Sequence, residues 1–532
     1  MSWASLSALF VLLAAIVFAT RRLLRYLHIF QQEEYDAKRF TNWLFSTAAF
    51  DKKLSAAVVL LILAATLGTG VSAIALNIAI GAAFALAAAF EPDPRRAAKK
   101  KLVLTERATR ILGVAFLMTV MLACLGLVSG APWSWVAFVQ ALPFVLVAAN
   151  YLLAPYEKRI QDGFRSRAEA RLAEVDPTVI GITGSFGKTS VKHILGHVLE
   201  LNTSTLYTPG SVNTVMGITR IINDRLTDDC RYFIVEMGAY DVGSIDRLTR
   251  FTPPKHGILT SIGAAHYERF KDLETVARAK FELTTAVQAA GGKMVIEEQV
   301  LDRAYARQRV DADRASFIIV GDSDTADLRI RAIEQTASGL EVTLEEAGET
   351  FTLRAPLYGL HHGRNMALAY ALAASLGISR DRIATAMRST PQIAHRLEVK
   401  RPPNGVIYLD DAYNSNPTGF ANALELMQSL QTDAGRRILV TPGMAELGQK
   451  HDEAHREIGR RAAERVDIAV VVKPERIPTF LEGLRSAGTL PDIHEFETFA
   501  DARAWLDRHE KAGDVVLIEN DLPDLYERTF PT

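Results

Sequence analysis

Two cysteines in 532 residues, Cys124 and Cys230, leave no material for a disulfide scaffold or a cysteine-rich metal centre. An excess of either charge is also missing. Sixty Lys+Arg stand against 61 Asp+Glu, a net charge of −1, so no overall basic field of the kind that gathers nucleic acid is present. Aromatic residues are scarce at 8%, yet the chain is 49% hydrophobic, too much apolar surface for a disordered polymer. No internal repeat or low-complexity tract is evident. At about 150 residues per domain, the length implies three or four domains. The balanced averages conceal two unlike parts.

Residues 1–154 lack charge where their apolar runs are longest. Residues 3–19 carry none, and neither do residues 54–90, a stretch nearly twice the roughly 20 residues that one membrane crossing needs. Gly68, Gly70 and Ser72 divide that stretch into a hairpin of two. Residues 111–129 and 133–153 add two more segments, giving five expected spans. A cleaved signal peptide would be one such segment, not the first of five. Residues 20–53 and 91–110 carry seven Lys/Arg each, and the turns near 69–72 and 129–132 carry none. Positive loops stay cytoplasmic, so the amino terminus is expected outside and everything after residue 153 inside, in a multi-pass protein of the cytoplasmic membrane. These basic runs read as headgroup anchors. No ionisable residue falls mid-span, which argues against a transporter. Residues 28–50 mix aromatics and charges at helical spacing and are expected to form an interfacial helix.

From residue 155 the text becomes charged and helical up to Pro177, and then short apolar runs alternate with helical stretches. TVIGITG, RYFIVEMG, HGILTSIG and KMVIEE read as buried parallel strands. Residues 328–355 alternate with period two around Ser338-Gly339 and Ala347-Gly348, which predicts antiparallel strands, and a helix follows at 365–377. A second series begins near 405 with GVIYLDD, RRILVTPG, DIAVVVK and DVVLIEND. The boundary between the two α/β units is expected at 395–404, beside Pro402-Pro403.

The sharpest local signal is Thr178–Ser190, TVIGITGSFGKTS. An apolar strand runs into Gly184-Ser185-Phe186-Gly187-Lys188-Thr189-Ser190, and a helix follows. Glycines let backbone N–H groups approach phosphate oxygens, and the helix amino terminus adds positive potential. Lys188 can neutralise terminal phosphates and Thr189 can ligate Mg²⁺. Ile182 stands where the longer GxxxxGK[ST] loop has its first glycine, so this is a shorter TGxxGKT loop. Glu236, at the end of the strand FIVEMG, would face the same crevice at the carboxyl edge of the sheet.

Ordered motifs beyond the loop carry a resemblance. They are VNTVMGI with Asn213, FIVEMGAYDVGSI with Glu236, TSIGAAHYERFKDLETVARAKFEL with His266 and Lys280, and GLHHGRNMALA with Asn365; HRLE with Arg396 and Asp410-Asp411-Ala-Tyr413-Asn414-Ser-Asn416-Pro417 complete the set. In this order they resemble the Mur ligase family, most closely its D-alanyl-D-alanine-adding branch, over roughly residues 165–530. The resemblance implies a P-loop-containing central domain, residues 155–396, and a Rossmann-like carboxy-terminal domain, 397–532, after the helical membrane domain 1–154. It implies ATP held by Gly184–Ser190, Asn365, Arg396 and Asp411. Mg²⁺ would sit at Thr189, Glu236, His266 and Lys280, the last a carbamoylated lysine in relatives. Lys188, Lys280, His266 and Arg396 would carry catalysis, and Asn213, Tyr413, Asn414 and Asn416 a substrate platform. The implied reaction joins a carboxylate to an amine through an acyl phosphate.

Departures bear on the substrate. His362 replaces the first Asn of the His-Asn-x-x-Asn motif. IENDLPDLY, 518–526, stands where relatives tend to carry Lys-Gly-Ser, and TPGMAELG, 441–448, keeps only the later part of its segment. Residues 1–154 occupy the place of the domain that holds the UDP end in soluble relatives. The expected acceptor is therefore muramyl-peptide-like and lipid-linked or presented at the inner leaflet, with an amino acid or dipeptide as the amine. A polyglutamate-type ligase and a non-catalytic nucleotide-binding scaffold are the other readings.

Overall fold

The computed structural model describes residues 2–520 apart from 68–71, 98–100, 240, 264–271, 337, 413–414, 432–434, 446, 487 and 489. The chain divides into two compact units after residue 161.

Every apolar segment of the first unit lies on a helix: Trp3–Gln32, Lys53–Leu67, Ala73–Phe90, Glu106–Ser129 and Ser134–Val175. Four are long and apolar enough to cross a bilayer by length and composition, and Lys53–Leu67, with 15 residues, is shorter. Phe84 packs edge-on against Trp135 and Phe138, with centroids 5.8 and 6.2 Å away. The single interfacial helix expected over 28–50 is split in two. Residues 28–32 continue the first helix, and a separate helix, Ala37–Ser46, starts on an Asp36 cap. The basic run 20–25 turns partly inward. Arg22 pairs with Asp51 at 2.8 Å and Glu91 at 2.7 Å, and Arg25 pairs with Glu91 at 2.7 Å, all four side chains buried. Nor does the charged stretch 155–176 form its own helix. It prolongs the last apolar helix through Pro155, because one proline removes one backbone hydrogen bond and leaves the neighbouring turns in place.

The second unit holds two sheets. The first has the order β2-β3-β1-β4-β5-β6-β7-β8-β9. Its strands are β1 (Thr178–Thr183), β2 (Thr205–Tyr207), β3 (Tyr232–Glu236), β4 (His256–Leu259), β5 (Met294–Glu297), β6 (Phe317–Gly321), β7 (Leu328–Thr336), β8 (Gly339–Glu346) and β9 (Glu349–Ala355). β1 to β6 are parallel, and β7, parallel to β6, opens the antiparallel meander β7-β8-β9. The expected strands are present, with β2 and β6 added. Ile180 and Ile182 bury themselves on one face of β1 with Ile194 and Leu195, and Val179 faces Phe233 and Leu172 on the other. The second sheet runs β10-β11-β15-β12-β13-β14. It comprises β10 (Glu398–Lys400), β11 (Ile407–Asp411), β12 (Arg437–Thr441), β13 (Ile468–Val472), β14 (Asp492–Phe496) and β15 (Val515–Glu519), all parallel except β10. In such sheets ligands meet the carboxyl ends of the strands. Those ends carry Thr183, Glu236 and Leu259 in the first sheet, and Asp411 and Glu519 in the second.

Candidate active site

β1 delivers the chain into a loop with no room for side chains at its two glycines. A Cβ on Gly184 would lie 1.8 Å from Thr260 Oγ1. Gly187 has φ +80°, and a Cβ there would lie 2.7 Å from Asn365 Oδ1. The segment after β4 pins the loop from below. Ser185 N donates to Ser261 O at 2.9 Å, Phe186 N donates to Ser261 Oγ at 2.9 Å, and Gly263 N donates to Ser185 Oγ at 2.8 Å. The helix Lys188–Glu200 then starts at Gly187 without a side-chain cap, leaving first-turn N–H groups for an anion. Ser190 is buried in that turn, while Phe186 is exposed. Lys188 folds back over the loop, its Nζ donating to Gly184 O at 2.7 Å and Ser185 O at 3.2 Å. Burial pulls its ammonium down to about 8; Glu236 opposes the shift, and Arg396 and Lys192 add to it.

Glu236 is the node beneath the loop. Its Oε2 accepts from Thr189 Oγ1 at 2.9 Å and from Lys192 Nζ at 2.8 Å, and its Oε1 accepts from Asn213 Nδ2 at 3.2 Å. Asn213, expected to touch substrate, thus orients Glu236. Lys192 was not anticipated from the sequence, although its spacing of four from Lys188 puts both on one helix face. Lys280, on the helix Leu273–Ala289, is buried. Enclosure, and then the charge of Lys188, hold its ammonium well below the usual lysine range. His266 lies outside the described residues, as do Tyr413 and Asn414.

Other elements close the site. Asn365, buried near the start of the helix His361–Ser375, meets His362 Nδ1 through its Nδ2 at 3.3 Å. Burial holds His362, which stands where the motif has asparagine, well below the usual histidine range. Arg396 lies between the sheets electrostatically, since its charge acts on both Lys188 and Asp411. Asp411, at the end of β11, accepts Leu397 N at 3.2 Å, and burial pushes its carboxyl up to about 6 against the pull of Arg396. Asn416 caps the helix Pro417–Ser429, its Oδ1 accepting Gly419 N at 3.0 Å, so at least that oxygen serves the fold.

A glycine-tight loop at a helix start, a buried carboxylate bonded to a hydroxyl, and an arginine–aspartate pair at the edge of a second sheet define a two-domain nucleotide-dependent α/β enzyme. Comparison with known proteins narrows the class. Residues 182–373 match the Mur ligase middle domain, and residues 395–519 match the Mur ligase, glutamate ligase domain. The UDP-N-acetylmuramoyl-tripeptide–D-alanyl-D-alanine ligase of Mycobacterium tuberculosis (strain ATCC 25618 / H37Rv) is 31% identical over 414 residues, covering 72% of this chain and 80% of that one. The enzyme of the same name from Bacillus subtilis (strain 168) is 29% identical over 311 residues, and there this chain spans only 63% of its relative's length. Of this chain, 58% is covered in that match. In fold, the unit resembles a crystal structure of MurF from Acinetobacter baumannii, with a TM-score of 0.60 at 23% identity over 70% of this chain and 79% of that one. MurF from Thermotoga maritima in complex with ADP gives 0.57 at 22%, covering 70% and 82%. The chain belongs to the Mur ligase family.

Proposed function

We propose that this chain is an ATP-dependent ligase that adds a D-alanyl-D-alanine-type dipeptide to a muramyl-peptide acceptor from a membrane-held position. The observation that carries the reading is the convergence of Lys188, Glu236 and Thr189 from the first sheet with Arg396 and Asp411 beside the second. The curated relatives carry that activity in their names.

The donor set fits Mg²⁺. Thr189 Oγ1 and the Glu236 carboxylate are hard oxygen ligands already in contact, and the ammonium of Lys192 balances the buried charge of Glu236. When bound, Mg²⁺ neutralises phosphate charge. Lys188 and Arg396 stabilise the γ-phosphoryl group as the acceptor carboxylate oxygen bonds to phosphorus and the bond to ADP breaks. The dipeptide amine then adds to the acyl carbon, loses a proton, and phosphate leaves. Asn365 and Gly187 keep the loop in shape, and Asp411 takes the ribose hydroxyls. Lys280, buried and repelled by the charge of Lys188, favours the neutral amine that captures CO2; as a carbamate it would be an anion that Lys188 attracts.

Four long apolar helices and the shorter Lys53–Leu67 support a membrane anchor, the basic loops favour a cytoplasmic ligase, and an anchor suits an acceptor carried on lipid. The test is mass spectrometry of products made by the full chain in lipid nanodiscs, from ATP, D-alanyl-D-alanine and either soluble UDP-linked or lipid-linked muramyl tripeptide. A product 142 mass units heavier, about one dipeptide less water, with stoichiometric phosphate release, is expected from the lipid-linked form. Equal turnover of both acceptors removes the lipid preference and leaves the ligase. Turnover of neither overturns the reading.

A further inference from the structure

The second sheet buries an acid that the reaction does not use. Glu519 ends β15, fully enclosed. Its Oε1 accepts the hydroxyl of Ser415, itself buried, at 2.5 Å. Its Oε2 is enclosed as well and meets no donor among the described residues. An enclosed carboxylate oxygen without a donor is costly, and the cost disappears if that oxygen carries the proton. Burial and the neighbouring charge of Asp411 both hold Glu519 well above the usual carboxylate range.

The register supplies an acceptor. β11 and β15 are parallel neighbours with Asp411 opposite Glu519. Paired residues of adjacent parallel strands project to the same face, with backbones about 4.8 Å apart. Two carboxyl groups thus stand side by side at the sheet edge that also receives Arg396. The other charges around the pair are few. Arg396 acts on Asp411 from the segment before β10, and Asp410 precedes it on β11, held by His395 at 3.0 Å and Lys400 at 2.6 Å. Neither side chain is spent on Glu519, and Ser415 is its only hydrogen-bond partner among the described residues.

We infer that Glu519 is a positioning residue for the nucleotide, a protonated acid whose Oε2 donates to the Asp411 carboxylate and fixes it for the ribose hydroxyls. The inference rests on the nucleotide reading of the site. One proton shared between two acids leaves a single negative charge there. Losing that proton sets two carboxylates against each other and against the nucleotide's phosphates, so ATP is held less well as pH rises.

The test compares KM for ATP and kcat at pH 7.5 and pH 9.5 in the full-length wild type, Glu519→Gln and Glu519→Ala. Titration of Lys188 raises KM in all three proteins, so the difference between them is the readout. Glutamine donates without titrating, and the rise in KM with pH should be smaller in Glu519→Gln than in wild type by about threefold or more. Alanine removes the donor, and Glu519→Ala should raise KM at pH 7.5 by about tenfold while kcat moves less than twofold. An unchanged pH dependence in Glu519→Gln overturns the inference, and it alone decides if the alanine variant does not fold. If wild type binds no ATP at either pH, the nucleotide reading falls as well.

Discussion

Each unit buries a cluster of charges, and the two are composed differently. In the first unit Arg22 and Arg25 meet Asp51 and Glu91, two cations against two anions. Around the glycine loop, Lys188, Lys192 and Arg396 outnumber Glu236 and Asp411 among the described residues, with Lys280 left out of the count as a neutral amine or carbamate. A buried group of charges that serves only the fold balances itself, because each uncompensated ion costs several kcal/mol. The second cluster keeps an excess of cations in a desolvated place, and burial draws Lys188, Lys192 and the neighbouring Lys280 toward the neutral form. That excess is the complement of a polyphosphate. The first cluster holds helices together; the second waits for a ligand.

The contrast can be broken at either side. Lys188→Ala removes the cation that folds over the loop, and kcat/KM measured by phosphate release should fall on the order of 1,000-fold. A loss under tenfold would mean that the cationic excess does not serve phosphate. Glu91→Gln removes the anion shared by Arg22 and Arg25, and unfolding of the detergent-solubilised chain should show the first unit destabilised by about 3 kcal/mol. ATP affinity should remain within about twofold in that variant, because the knot has no part in the second unit. If ATP binding is lost with Glu91, the two clusters are not separate systems. The smallest effect concerns pH. Asp411 takes up a proton as pH falls through about 6, so its acceptor role is present above that value and fades below it. KM for ATP should rise by up to about tenfold between pH 6 and pH 5, and Asp411→Asn should flatten that limb. A limb that survives in the asparagine variant belongs to another group.

Much of this was legible because it is local. The strand, the loop and the helix follow one another without interruption over residues 178–200, and hydrophobic period separates the parallel strands from the meander. The five apolar segments likewise declare themselves by composition. What sequence patterns do not encode is pairing across the chain. Arg22 finds Glu91 at a separation of 69 residues, and Ser415 finds Glu519 at 104. Neither partner has a periodic signature, so basic loops read as anchors and the end of β15 read only as a departure. Asn416 shows the opposite difficulty. Its Asn-Pro setting at a helix start is also the pattern of a cap, and the cap is what its side chain forms. The change from apolar to charged text at 155 does not mark the end of a helix.

Gly187 has a genetic consequence. Every single-base change in a glycine codon that alters the amino acid installs a Cβ, and here that atom would fall 2.7 Å from Asn365 Oδ1 in a left-handed backbone. Selection at that codon has nowhere to step without first reshaping the contact with Asn365. A compound seated against this glycine would meet a position where every amino-acid change by point mutation strains the loop.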